Sequence, residues 1–149
     1  MSKFIGVKMI EAVPMTAREA NDKGYRIGNH SFEEDGYEVT YPNGYKSWSP
    51  AKEFEKAYYK LEDPAGDILK ENDIKRFIKG IENVKVGTKT TNTTLTCLTG
   101  FEVHGQSSCV KPENFNLGIG AAYAQIEAKN KIWEGLGFVL QWAKYGLKK

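Results

Sequence analysis

"GYEVTYPNGYKSWSPAKEFEKAYYKL", residues 36–61, sets the fold class of the chain. Tyr37, Val39 and Tyr41 alternate with Glu38 and Thr40, which is strand period. "YPNGY" then turns the chain, because Pro42 presets φ and Asn43-Gly44 accept positive φ at little cost. A two-residue Asn-Gly turn would place Trp48 opposite Val39. A type I turn with Pro42 at its second position and Gly44 as a bulge shifts the pairing by one residue and sends Trp48 to the face of Glu38 and Thr40. Proline ahead of Asn-Gly favours the bulged form. After the hairpin, Ser49 is placed to cap a helix with Pro50 at its first position. Phe54, Ala57, Tyr58 and Leu61 give that helix one apolar face.

Towards the N-terminus, Phe4 to Val13 reads as a strand. Thr16 with Glu19 three residues later reads as a capping box for a short helix over "TAREAND", closed at Gly24. Residues 1–62 are therefore expected to form a β-α-β-β-α module. "EDPAGD", residues 62–67, has the composition of a joint. Beyond it, Ile74, Phe77, Ile78 and Ile81 fit a second amphipathic helix. "TKTTNTTLTCLTGFEVHG", residues 88–105, fits a β-hairpin turning at Thr99-Gly100. A long helix follows, with Ile119, Tyr123, Ile126, Asn130 and Trp133 down one stripe, and "LGFVLQWAKYGL" closes the chain as a strand or helix turn. The expected class is α+β: two small modules, the second (68–149) a helix, a hairpin and a long helix. Modules of this size have marginal cores, so docking or self-association, most simply a twofold dimer, is expected.

The totals narrow the partners. Of 149 residues, 40% are hydrophobic and 27% charged, a globular composition. Twenty-one basic and nineteen acidic side chains leave a net charge of +2, which gives little support to nucleic-acid binding. Lys3, Lys8 and Glu11 interrupt the first apolar residues, so no secretory h-region is read there. The uncharged run 114–126 is too short and polar to span a bilayer. Two cysteines make no disulfide framework, and a reducing, cytoplasmic setting is expected.

"GFEVHGQSSCVKPENFN", residues 100–116, holds the residues with chemistry in them. Cys109 follows His104 by five positions, but a thiol needs a base or a positive field. If residues 98–101 close the hairpin, His104 pairs with Leu95 and shares a face with Cys97, with only Glu102 near enough to orient it. The pattern is weak for catalysis, and no enzyme activity is expected. Zinc would need Cys97, Cys109, His30 and His104, which lack the close paired spacing of metal sites. "NLGIGAAYA" matches no phosphate-binding loop, and Gly118 and Gly120 more simply allow helix and strand to approach. Lys75, Arg76 and Lys79 form a small basic stripe that reads as a solvated helix face, with a phosphate contact as the alternative. No cofactor is implied.

The same stretch, with "NKIWEGLGFVL", resembles a family of small tailed-phage proteins. Leu95, Thr96, Gly100, Phe101, Val103, Gly105, Ser107, Cys109, Pro112, Glu113, Asn114, Phe115 and Asn116 meet the family pattern. Asn130, Lys131, Ile132, Trp133, Gly137 and Phe138 meet its second half. Thr99, Gln106 and Ser108 depart from it, and the loss of an acidic group at Gln106 argues against acid–base or metal chemistry there. The first half, through Phe4 to Lys8, Pro14 to Asn21, Gly36 to Tyr41 and Ser47 to Pro50, looks like a phage accessory module. That module is fused in other phage proteins to a domain that sequesters nucleotide immune signals, an association that implies counter-defence work in the host cell cytoplasm.

Two functions from different classes follow. A binding protein would hold a small phosphorylated ligand with Gln106, Ser107, Asn114 and Asn116 at a helix start, where unpaired N–H groups attract anions. Asn130 and Lys131 lie about four turns further along and would reach that point from an antiparallel neighbouring subunit. An interaction protein would instead grip a host defence protein with surface aromatics, Tyr45 and Trp48.

Overall fold

The computed structural model describes residues 1–149 and shows an α+β chain with two three-stranded antiparallel sheets. It divides into two compact units, Met1–Lys60 with Trp142–Lys149, and Leu61–Gln141.

In the first unit, β1 (Glu11–Pro14), α1 (Ala17–Asp22), β2 (Gly36–Thr40), β3 (Lys46–Pro50) and α2 (Ala51–Ala57) follow one another, with sheet order β1-β2-β3. The expected first strand is shorter than its sequence pattern. β2 offers partners only from Thr40 to Tyr37, so pairing starts at Glu11, and Phe4 and Ile5 stay exposed. The Thr16 hydroxyl caps α1 by accepting from the Glu19 N–H at 3.2 Å.

The β2–β3 hairpin takes the bulged form. Gly44 N–H donates to Tyr41 O at 2.8 Å, Tyr41 N–H donates to Tyr45 O at 2.9 Å, and Gly44 sits at φ +88. Glu38 therefore faces Trp48. Trp48 is a core residue, against the expectation of a surface aromatic. It packs with Met15, Ala17 and Ala20, and its indole N–H donates to Met15 O at 2.8 Å. On the other face Tyr37 stacks on Phe54, and Phe54 on Tyr58. Ser49 is not the helix cap, because it pairs with Tyr37 in the sheet. Pro50 takes the capping position in extended backbone, and Ala51 N–H donates to Asp35 O. The helix ends at Ala57, so Leu61 lies off its face.

The second unit includes residues 62–67. Asp63 gathers the N–H groups of Ala65, Asp67 and Ile68, and buried Asp73 accepts from Glu62 N–H, Lys70 N–H and the Arg76 guanidinium. α3 (Glu71–Phe77) is followed directly by β4 (Ile78–Val86), β5 (Thr90–Cys97) and β6 (Glu102–Ser108), then a 3-10 turn (Pro112–Asn114) and α4 (Leu117–Tyr145). Ile78 and Ile81 belong to β4, not to the helix expected there. Phe77 O accepts from Leu98 N–H, and the chain is drawn into pairing with β5 from Ile78 onward. The expected hairpin is thus a three-stranded meander, and the closing segment continues α4 to Tyr145.

β5 is the central strand, with Thr91, Thr93, Leu95 and Cys97 all inward. Against this row α4 lays Ala121, Ala124, Ala128 and Ile132. The stripe read from sequence points the other way: Ile119, Tyr123 and Ile126 are exposed. Alanines face the sheet because the two backbones come too close for larger side chains. A Cβ on Gly105 would overlap the Ala124 carbonyl, and one on Gly120 would overlap Thr91.

Candidate functional site

β6 ends, and α4 begins, at one side of the second sheet, and the "SSCVKPENFN" loop joins them. Cys109 N–H donates to Lys89 O at 3.0 Å, which fastens the loop beside the start of β5. Between loop, sheet and helix lies an open cavity of about 200 Å³. Ser107, Asn114 and Asn116 line it, three of the residues singled out from sequence, and so do Lys89, Thr91 and Tyr123.

Each group has a definite position. Asn116 caps α4, its side-chain oxygen accepting from Ile119 N–H at 3.0 Å and its carbonyl from Gly120 N–H at 2.9 Å. The N–H groups of Leu117 and Gly118 are left as the first-turn donors of the helix. Thr91 is wholly buried, and its hydroxyl has no hydrogen-bond partner. Such a group costs free energy unless something satisfies it. Phe115 is also in the lining, and Lys85 places its ammonium 4.6 Å from that ring's centre. The lining holds no carboxylate and no imidazole. Hydroxyls, amides, one lysine and a helix start suit an anionic oxygen group.

The other sequence candidates are elsewhere. Gln106 points to the opposite face of the sheet, where its amide donates to Asn92 at 3.4 Å. Asn130 lines a second cavity, of about 260 Å³, with Ile126, Trp133 and the α3 residues Glu71 and Lys75. Lys131 is exposed on α4 and lines neither cavity. Tyr45 is exposed at its hairpin tip and stacks on Tyr41, while Trp48 is buried.

His104 has a different register from the one expected. The β5–β6 turn repeats the β2–β3 turn: Gly100 N–H donates to Cys97 O at 2.8 Å, Cys97 N–H donates to Phe101 O at 2.9 Å, and Gly100 sits at φ +87. The bulge sets His104 opposite Thr94 rather than Leu95, on the face away from Cys97, and its Nδ1 hydrogen-bonds the Thr94 hydroxyl at 3.0 Å. The Cys109 thiol donates to Lys111 O at 3.1 Å. His30 pairs with Glu34 and packs edge-on to Trp48. No three His, Cys, Asp or Glu side chains gather as metal ligands would.

Lys89 and Thr91 are the site residues that sequence reading missed. Counting back in steps of two from Leu95 places Thr91 on the inward face, and that alternation was the available signal.

The profile of the Phage protein (N4 Gp49/phage Sf6 gene 66) family matches residues 69–143, the span from just ahead of α3 through most of α4. The chain belongs to this bacteriophage protein family. No curated protein and no solved structure matches it. No helix is long and apolar enough to cross a membrane.

Proposed function

We propose that the protein is a phage-encoded, non-enzymatic binding protein that works against host defence in the host cytoplasm. It sequesters a small nucleotide-like immune signal by holding its phosphoryl group in the cavity at the start of α4. One observation carries this reading: the buried, unpartnered Thr91 hydroxyl lies in the lining of a cavity that also presents Ser107, Asn114, Lys89 and the first turn of a helix. The volume of about 200 Å³ is below the range usual for a whole drug-sized ligand, about 300–1,000 Å³. The cavity therefore takes the phosphoryl end, and the base rests at the rim, where Phe115 offers an aromatic face.

Isothermal titration with mono- and dinucleotides tests the assignment. Ser107→Ala and Asn114→Ala should each weaken binding about 5-fold, the loss expected for one hydrogen bond of about 1 kcal/mol. Lys89→Ala should weaken it and also flatten its salt dependence. Unchanged affinity in all three variants would move the site away from this cavity.

A second reading rests on Tyr45, exposed and stacked on Tyr41 in the first unit. Here the protein binds a host defence protein and blocks it through that aromatic tip. Loss of the counter-defence effect in Tyr45→Ala, with Ser107→Ala unaffected, would select this reading.

A further inference from the structure

α4 has two apolar faces, and the unit covers only one of them. Ala121, Ala124, Ala128 and Ile132 are buried on the sheet. On the other side Ile119, Tyr123 and Ile126 are 61%, 64% and 58% exposed, large side chains that the unit leaves mostly open. This second face continues through Asn130 and Trp133 to Leu140, with α3 along one edge, where half-buried Trp133 also packs on the unit's own core.

The spacing of that face is specific. From Ile119 the steps are four, three, four and three residues, the alternation of core positions in a two-stranded coiled coil. Ile119, Ile126, Trp133 and Leu140 fall at d, and Tyr123 and Asn130 at a. Ala121 and Ala128 then fall at f, the position opposite the seam, and both are buried on the chain's own sheet. The seam thus points away from the sheet. Asn130 is exposed, and a single polar residue at an a position is the device that fixes register between identical helices.

Charge decides the direction. Lys129 falls at g and Glu134, five residues on, at e. In a parallel pair the g residue of one helix meets the e residue of the next heptad on the other, so Lys129 meets Glu134 of the second copy, twice by symmetry. In an antiparallel pair e faces e and g faces g, which would bring together the like charges of Glu127 and Glu134. Neither Lys129 nor Glu134 forms an ion pair within its own chain.

We infer that α4 pairs in parallel with α4 of a second copy of this chain through Ile119, Tyr123, Ile126, Asn130 and Trp133. Asn130 meets its counterpart at the centre of the seam, and Lys129 bridges to Glu134 across it. This assigns Asn130 to assembly rather than to ligand, and it leaves Lys131 far from the second copy's cavity. The interface stands whether or not the cavity binds a phosphorylated ligand.

The test uses the full chain without ligand. Light scattering at tens of micromolar (roughly the range in which such dimers form) should give the mass of two chains. Lys129→Glu should weaken association several-fold, by about 3-fold or more for two lost surface pairs, and adding Glu134→Lys should restore it. In a Cys109→Ser background, Ile119→Cys should form a covalent dimer under mild oxidation, since this end of the seam meets its counterpart in a parallel pair and lies about 30 Å from it in an antiparallel one. Circular dichroism should show unchanged helix in each variant, as expected for exchanges on an exposed face. A single-chain mass, a larger assembly, an association indifferent to Lys129→Glu, or a dimer whose Ile119→Cys form does not cross-link would each overturn the inference.

Discussion

A Cβ on Gly105 would run into the Ala124 carbonyl oxygen and stand 2.6 Å from the Ala128 nitrogen, so β6 and α4 meet backbone to backbone. This contact sets the depth of the helix on the sheet, and with it the shape of the cavity at the helix start. Gly105→Ala should therefore destabilise the protein by at least about 3 kcal/mol in urea unfolding, because backbone on both sides must move. Gly135, in the same helix, has open space where its Cβ would be. Gly135→Ala should stabilise by roughly 0.5–1 kcal/mol through helix propensity. Equal effects at the two glycines would contradict the close approach.

Trp48 and Tyr45 separate core from surface within one strand and its turn. Trp48→Ala should cost about 3–5 kcal/mol, since it empties the space among Met15, Ala17 and Ala20 and leaves Met15 O without its donor. Tyr45→Ala should change stability by less than about 0.5 kcal/mol. Thermal melts of the two variants give the comparison.

Two carboxylates shape the acid limb of stability. The Tyr25 hydroxyl donates to Glu38 at 2.7 Å and holds that carboxyl below its ordinary 4.5, with Lys23 assisting. Backbone N–H groups of Asp67, Ala65 and Ile68 hold Asp63 below its ordinary 3.8. A carboxyl depressed in the folded state stabilises fully above its unfolded pKa, and the gain is lost as pH falls through the folded value. Melting temperature should therefore drop steeply below about pH 4.5, and less steeply in Glu38→Gln. Parallel pH profiles for wild type and variant would contradict the Tyr25–Glu38 assignment.

The two thiols should differ. Burial pushes the Cys97 thiol up, and Cys97 is only 4% exposed, whereas Cys109 lies partly exposed in the loop. At neutral pH, alkylation followed by mass spectrometry should modify Cys109 while Cys97 reacts only as fast as the unit opens. Equal labelling of both would place Cys97 outside the core.

Much of this was legible in the residues, and the failures have physical causes. "YPNGY" carries proline ahead of Asn-Gly, and the bulged turn it favours is the one observed, with Glu38 facing Trp48. "CLTGF" forms the same turn without proline to announce it, and the missed bulge put His104 one register off and on the wrong face. Ile78 and Ile81 continue the helical spacing of Ile74 and Phe77, but pairing with β5 outweighs that local pattern. The α4 stripe was found by its spacing, but the face that packs on the sheet is the alanine face, which was not read. Glycines on two partners let small side chains take the buried face, which a reading by hydrophobicity does not detect. Ser107, Asn114 and Asn116 were found because the loop holding them is short. Thr91 and Lys89 enter the site only through strand register.

A thermal-shift panel of linear and cyclic nucleotides tests the proposal that the cavity at the start of α4 holds a phosphorylated ligand. A ligand at 100 times its Kd should contribute about 2.7 kcal/mol and raise the melting temperature by several degrees. Such a rise is expected for one compound and not for its dephosphorylated nucleoside, and it should be smaller in Ser107→Ala. No shift with any phosphorylated compound, or an equal shift with the bare nucleoside, would contradict it.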